Sequence, residues 1–259
     1  MWEKEGDFMQ TKCIAHRGLS GLYPENTIIS FEKALEYHPD CLELDIHQTK
    51  DGQIVVCHDA TLERTTNGTG KISDYTLKEL KKFDASWKFA EKTGFQEIPT
   101  LDEYFDLIRG REIITLIEFK GFGACYPGLE ERLIEKIRRE DRSSMVVISG
   151  FNHPQMVRFK SMAPEMNVGV PYRCNMVNPG KYGKEIGMDY LHPYYETLDR
   201  ETVDEIHACG LKINAWGIGS AIDDPEVIRH LISLGVDGIM TNRADVMMDI
   251  KIKETCKDG

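Results

Sequence analysis

The sequence lacks an excess of positive charge: 32 lysines and arginines face 43 aspartates and glutamates in 259 residues, for a net charge of −11 with histidine neutral. That balance argues against a chain that holds nucleic acid, or anionic lipid, through a basic surface. An anionic ligand then has to be met by a few local cations, with or without a metal ion, against the overall field. Long apolar runs are missing as well, and none approaches the ~20 residues of a bilayer span. The opening MWEKEGDFMQTK is polar and acidic, without the basic start and apolar stretch of a secretion signal, so a cytoplasmic protein with no stable membrane anchoring is expected. The seven cysteines (13, 41, 57, 125, 174, 209, 256) are odd in number and form no CxxC pair. Free thiols in a reducing compartment are the simplest account, which argues against a zinc site or disulfide framework. No GxGxxG fingerprint occurs. Nothing in the composition reports the oligomeric state.

What is present is a rhythm of short apolar runs and amphipathic segments. Cys13 to Ala15 is too short for a helix and fits a buried strand, and Asn26 is placed to cap a helix carrying Ile28, Phe31 and Leu35 at helical spacing. A strand follows over 41–49, and Asp51-Gly52 turns the chain back into 53–58 as a hairpin. From Thr100 the alternation is regular: helix 100–109, strand 113–119, helix 129–139, strand 145–149, helix 154–160, strand 167–170, helix near 181–186, strand 188–191, helix 199–208, strand 211–216, helix 224–234, strand 236–240 and a closing helix near Asp245. Leaving the hairpin return aside, eight strands in this length predict a closed (β/α)8 TIM barrel spanning residues 1–259 as one domain. An open doubly wound sheet is the alternative. Residues 59–99, polar and long for a connection, are expected to form an insertion over the barrel mouth after the second strand.

The reactive residues gather at strand ends. His16 and Arg17 close the first strand, where α/β folds place their chemistry, although a capping histidine and a surface-paired arginine fit the same positions. Glu43 and Asp45 are two apart on the second strand and point the same way. Two carboxylates facing one direction inside a barrel need something positive between them, and a hard divalent cation with oxygen ligands is the natural partner. The alternative is a solvated or salt-bridged pair. Glu118, ending an apolar run with Lys120 two positions on, favours a cation-plus-phosphate site. His58 ends the hairpin return, so His16 and His58 are candidates for an acid–base pair. His47 shares the parity of Glu43 and Asp45 and is assigned a hydrogen-bonding or solvated role. His192 is a weaker substrate contact, while His38, His207 and His230 fit surface positions. Trp216, Phe151 and Tyr172 follow strands, either plugging the barrel or packing against a substrate's carbon skeleton.

The set His16-Arg17-Gly18, Pro24-Glu25-Asn26-Thr27, Glu43-x-Asp45, Asp51-Gly52, His58-Asp59, Arg64-Thr65-Thr66-Asn67-Gly68 and Glu118-x-Lys120 resembles the glycerophosphodiester phosphodiesterase family. The likeness extends through Ile98-Pro99-Thr100-Leu101 to Gly235-Val236-Asp237-Gly238-Ile239, nearly the whole chain. The resemblance implies a metal-dependent barrel enzyme that cleaves a small-molecule glycerophosphodiester to glycerol 3-phosphate and an alcohol. It implies Glu43, Asp45 and Glu118 as ligands of Mg²⁺ or Ca²⁺, His16 and His58 as acid and base, and Arg17 and Lys120 beside the phosphate; Trp216, from its place at a strand end, is added as a candidate substrate contact. The chain departs from the family's usual Trp-Thr-x-Asn at Trp216-Gly217-Ile218-Gly219, and from Thr-Asp-x-Pro at Thr241-Asn242-Arg243-Ala244. Both departures bear on the substrate's alcohol moiety. A related enzyme for lysophospholipids or sphingolipids would need an exposed apolar groove, for which Trp87 and Phe89 are the candidates. A non-catalytic phosphodiester sensor would have no use for both histidines.

Overall fold

The computed structural model describes residues 11–86, 89–120 and 126–255. Eight parallel strands close on themselves: β1 (Lys12–His16), β2 (Cys41–Gln48), β4 (Ile114–Phe119), β5 (Val146–Gly150), β6 (Asn167–Tyr172), β7 (Tyr190–Pro193), β8 (Lys212–Ala215) and β9 (Gly238–Thr241). β1 pairs with both β9 and β2, which seals the ring. The short β3 (Ile54–Val56) runs antiparallel beside β2 as the hairpin return. This is the TIM barrel expected from the alternation.

Alternation of side chains across each strand sorts the residues into two layers. One face of the strands, with Phe119, Ile148 and Val168, packs against the surrounding helices in a single large apolar cluster. The other face points into the barrel, where Ile14, Cys41, Leu116, Val147, Tyr190 and Met240 form a smaller inner cluster. Two residues further along each of several strands, the same inward parity brings His16, Glu43, Glu118, Ser149 and His192 above that apolar floor.

The helices obey their caps. Thr100 accepts from Glu103 N while the Glu103 carboxylate accepts from Thr100 N, and a helix runs over Leu101–Leu107. Asp224 caps a helix over Pro225–Leu234 with proline in its first turn, and Gly235 ends it in the left-handed region at φ 80°. The first helix, Ile28–Leu35, is capped by Thr27 and not by Asn26. Asn26 is turned inward at φ 57° and makes a long-range bond described below. Strand limits shift too: β7 runs Tyr190–Pro193, its later end taking His192 into the strand, and β9 begins at Gly238. Residues 59–86 and 89–99 form one-turn helices, a 3₁₀ turn and an isolated antiparallel bridge between Thr61 and Lys71, and carry their own apolar cluster of Leu62, Ile72, Leu80, Ala85 and Ile98 against Val55 and Cys57. Trp87 lies outside the described residues, and Phe89 directly precedes a turn of helix at Ala90–Thr93.

Candidate active site

β1 and β2 are paired so that His16 stands beside Glu43, and β2 and β4 so that Asp45 stands beside Glu118. Past His16 the chain turns sharply, with Arg17 at φ 58° and Gly18 at φ 82°. A Cβ on Gly18 would lie 2.5–2.8 Å from Ser30 atoms, so only glycine fits there. The turn directs Arg17 N at Glu43 Oε2, 2.9 Å away. The Arg17 guanidinium donates through Nη1 to Glu25 Oε1 at 2.9 Å. Its Nε lies 3.2 Å from Asp45 Oδ2, within ion-pair range but off the hydrogen-bonding direction.

Oxygens of Glu43, Asp45 and Glu118 lie within 4.8 Å of one another. Lys120 Nζ donates to Glu118 Oε1 at 2.6 Å and sits 3.0 Å from Asp45 Oδ1. Asn26 Nδ2 donates to Asp45 Oδ2 at 2.8 Å. Even so, Glu43 Oε1 and Asp45 Oδ1 are buried with no hydrogen-bond donor. Burial, and then the neighbouring Asp45, push the Glu43 carboxyl well above the usual carboxylate range. Burial would raise Asp45 as well, but Lys120 and Arg17 outweigh it and hold Asp45 far below that range. Lys120 is raised in turn, because Asp45 and Glu118 overcome its desolvation. Two buried carboxylate oxygens without donors, beside a third carboxylate, are what a hard divalent cation accepts. The residues present fit such an ion.

His16 lines the cavity, with Nε2 3.9 Å from Glu43 Oε2 and Nδ1 2.8 Å from Asn242 Oδ1. Burial, followed by the Arg17 charge, lowers its pKa to about 3, so the ring is neutral near pH 7. His58 meets a different partner: its Nδ1 is 2.5 Å from Asp59 Oδ1. Arg64 Nε donates to Asp59 Oδ2 at 2.6 Å, and the same guanidinium grips both Glu25 oxygens at 2.6 and 2.8 Å. An ionic chain therefore runs Arg17, Glu25, Arg64, Asp59, His58. Burial works against a charged Glu25, yet Arg64 and Arg17 hold its pKa near 2.

All eight predicted site residues fall in this region, and six of them (His16, Arg17, His58, Glu118, Lys120 and Trp216) line one cavity of about 800 Å³ at the C-terminal ends of the strands. Glu43 and Asp45 lie beneath its surface, 1 and 0 % exposed. Trp216 forms part of the wall: its Nε1 donates to His192 O at 2.9 Å, and its ring packs edge-on against Phe151 and Tyr194. Tyr172 is buried away from the cavity lining. His47 is fully buried and hydrogen-bonded to Tyr126 Oη and to His58 O, so of its two predicted roles the hydrogen-bonding one is realised. His192, 1 % exposed, lines the cavity floor beside Ser149. Reading the sequence missed the supports: Glu25, Asn26, expected only to cap a helix, and Asp223, which holds Asn242. The partners of Asn26 and Asp223 lie 18 or 19 residues away, beyond any local pattern.

The Glycerophosphoryl diester phosphodiesterase family matches residues 16–246. The chain belongs to this family. Membership makes it a phosphodiesterase. It is 41% identical over 242 residues to a glycerophosphodiester phosphodiesterase of Caldanaerobacter subterraneus, covering 93% of this chain and 98% of the relative. A Bacillus altitudinis enzyme of the same name is 38% identical over 250 residues, covering 95% and 100%. Among solved structures, an Oleispira antarctica phosphodiesterase in complex with the product sn-glycerol-3-phosphate superposes with a TM-score of 0.84 at 28% identity, covering 95% of this chain and 98% of that one. Among the described residues no helix is long and apolar enough to cross a membrane.

Proposed function

We propose that the chain hydrolyses glycerophosphodiesters to glycerol 3-phosphate and an alcohol, with His16 and His58 as acid–base pair and Mg²⁺ or Ca²⁺ held by Glu43, Asp45 and Glu118. The observation that carries this reading is the meeting, at one cavity, of two imidazoles, two cations and a carboxylate cluster with unsatisfied oxygens. The product bound by the Oleispira antarctica relative supports the substrate class.

A bound cation supplies Lewis acidity toward a phosphoryl oxygen. The protein's part is proton transfer and charge placement. One imidazole takes a proton from the nucleophile, either water or the glycerol hydroxyl beside the phosphate, and the other gives one to the leaving alkoxide. Arg17 and Lys120 are charged donors set beside the cluster, where they stabilise charge developing on the other phosphoryl oxygens. Phe151, Trp216 and Ile218 form an apolar wall for the substrate's carbon skeleton. In this reading residues 1–259 act as one phosphodiesterase domain, residues 59–99 cover the barrel mouth, and the free described cysteines suit the cytoplasm.

The test is release of glycerol 3-phosphate from a panel of diesters by chelated protein with Mg²⁺ or Ca²⁺ restored. Metal-dependent release is expected, and His16→Ala or His58→Ala is expected to lower turnover by about 10²–10⁴-fold. No metal-dependent release from any diester overturns the reading, as does near-full turnover in either histidine variant. Faster turnover of lysophosphatidylcholine than of glycerophosphocholine reassigns the substrate.

A further inference from the structure

Asn242, just past β9, joins His16 to the loop after β8 through a hydrogen-bond pattern that has only one consistent arrangement of protons. Its amide nitrogen Nδ2 lies 3.0 Å from Gly219 O and 2.9 Å from Asp223 Oδ2. Both partners are acceptors only, so the carboxamide must present its NH₂ to them. Turning the group over would set an oxygen against two oxygens. The backbone anchors the same orientation, since Asn242 N and Thr241 Oγ1 both donate to Asp223 Oδ1, at 2.8 and 2.7 Å. Oδ1 is thereby fixed toward His16 Nδ1 at 2.8 Å. An amide oxygen cannot donate, so Nδ1 must carry the hydrogen. Ser20 Oγ is near Oδ1 at 3.0 Å, but its single proton is claimed by His16 O at 2.6 Å. The ring's other nitrogen, Nε2, is left on the side of Glu43 and the cavity.

We propose that Asn242 is a positioning residue that locks His16 in the Nδ1–H tautomer, presenting Nε2 to the cavity as a lone pair. The proposal rests on the reading of His16 as one of the acid–base pair, and it assigns the direction of proton flow. His16 Nε2 receives the nucleophile's proton. His58, whose Nδ1 faces a carboxylate and not an amide, gives a proton to the leaving alkoxide. Asp223 holds the carboxamide as the carboxamide holds the ring.

The test reads the tautomer directly. In the full-length chain with ¹⁵N-labelled histidine and diamagnetic Mg²⁺ present, two-bond ¹H–¹⁵N spectra report which ring nitrogen is protonated, and His16→Gln identifies the His16 signals. Expected is a protonated Nδ1 and a bare Nε2; the opposite tautomer in the unmodified protein overturns the proposal whatever the activity. Asn242→Leu keeps the side chain's shape without an acceptor. It is expected to mix the two tautomers and lower kcat by about 10–100-fold, the range for losing an orienting partner, with KM little changed. An unchanged spectrum and kcat in that variant also overturn it. The double variant Asn242→Asp/Asp223→Asn exchanges amide and carboxylate, keeps the net charge, and restores every bond of the pattern except that to Gly219 O. It is expected to retain the Nδ1–H tautomer, and it decides the matter if Asn242→Leu fails to fold. If the tautomer is as expected while His16→Ala turns over normally, the catalytic reading fails and the lock stands.

Discussion

Glu25 and Asn26 sit side by side on the loop before the first helix, and each supports one half of the site. Glu25 is the middle of the ionic chain from Arg17 to His58. Its folded pKa of about 2 lies below its ordinary 4.5, so the stabilisation is present above pH 4.5 and lost as the pH falls from there toward 2. At neutral pH a shift of that size is worth about 3 kcal/mol. Glu25→Gln should therefore lower the urea-unfolding free energy by that order at pH 7, with the gap to the parent closing as both approach pH 2. A constant gap across that window would remove the assignment. Asn26 supplies the hydrogen bond to Asp45 Oδ2 that Lys120 and Arg17 do not, from a left-handed backbone that asparagine tolerates better than most residues. Asn26→Gly frees the backbone and deletes only the side chain. It is expected to cost about 1–3 kcal/mol for the unsatisfied buried carboxylate oxygen and to weaken metal binding by about 10–100-fold in a titration of the chelated protein. In the sequence an asparagine ahead of an apolar helix is indistinguishable from a cap. Its partner lies 19 residues on, on β2, and only the folded barrel brings the two together.

At the scale of elements, what was legible was whatever a two-residue period encodes. Glu43, Asp45 and His47 share an inward face on β2, as Glu118 and Lys120 do at the end of β4, and spacing alone places them there. Strand limits were less legible, because apolar residues that lead into a strand look like the strand itself. Met188 and Val236 are buried in the outer core but precede β7 and β9, so the apolar pattern starts both strands two residues early. For β7 the limit at the other end has a consequence, since stopping at Leu191 leaves His192 beyond the strand when it is an inward residue of it. Residues 59–99 read as an excursion because their polar composition suits no barrel element. Their ties to the site, through Arg64 to Asp59 and Glu25, are ion pairs between distant segments. Because this segment has a separate apolar cluster, Arg64→Ala should loosen it without melting the barrel. Hydrogen exchange should quicken over 59–86 while β4 to β6 keep their protection, and turnover should fall as His58 loses its anchored neighbour. Equal quickening in the barrel strands would show that the segment is not an independent unit.

For the whole molecule, closure of the ring depends on β1 pairing with β2 on one side and β9 on the other, a contact between the two ends of the described chain that no single strand announces. The number of strands and the length of chain made it the economical expectation. Closure gathers the cations Arg17 and Lys120 to one end of a protein whose net charge is −11. Those cations are already matched by Asp45, Glu25 and Glu118, so they do little to reverse the field felt from a distance. An anionic diester consequently approaches against a repulsive surface and meets attraction only on contact. Raising the ionic strength from 0.01 M to 0.15 M shortens the Debye length from about 30 Å to about 8 Å, which screens the distant repulsion and leaves the buried contacts nearly intact. Glycerophosphoglycerol, with a net negative charge, should then show kcat/KM rising with salt at fixed metal concentration, by up to about tenfold, the low end of what surface fields do to association. Zwitterionic glycerophosphocholine should stay nearly flat. A fall with salt for the anionic diester alone would mean that the mouth attracts anions at long range, and that the site's cations, with a bound metal ion, outweigh the acidic surface.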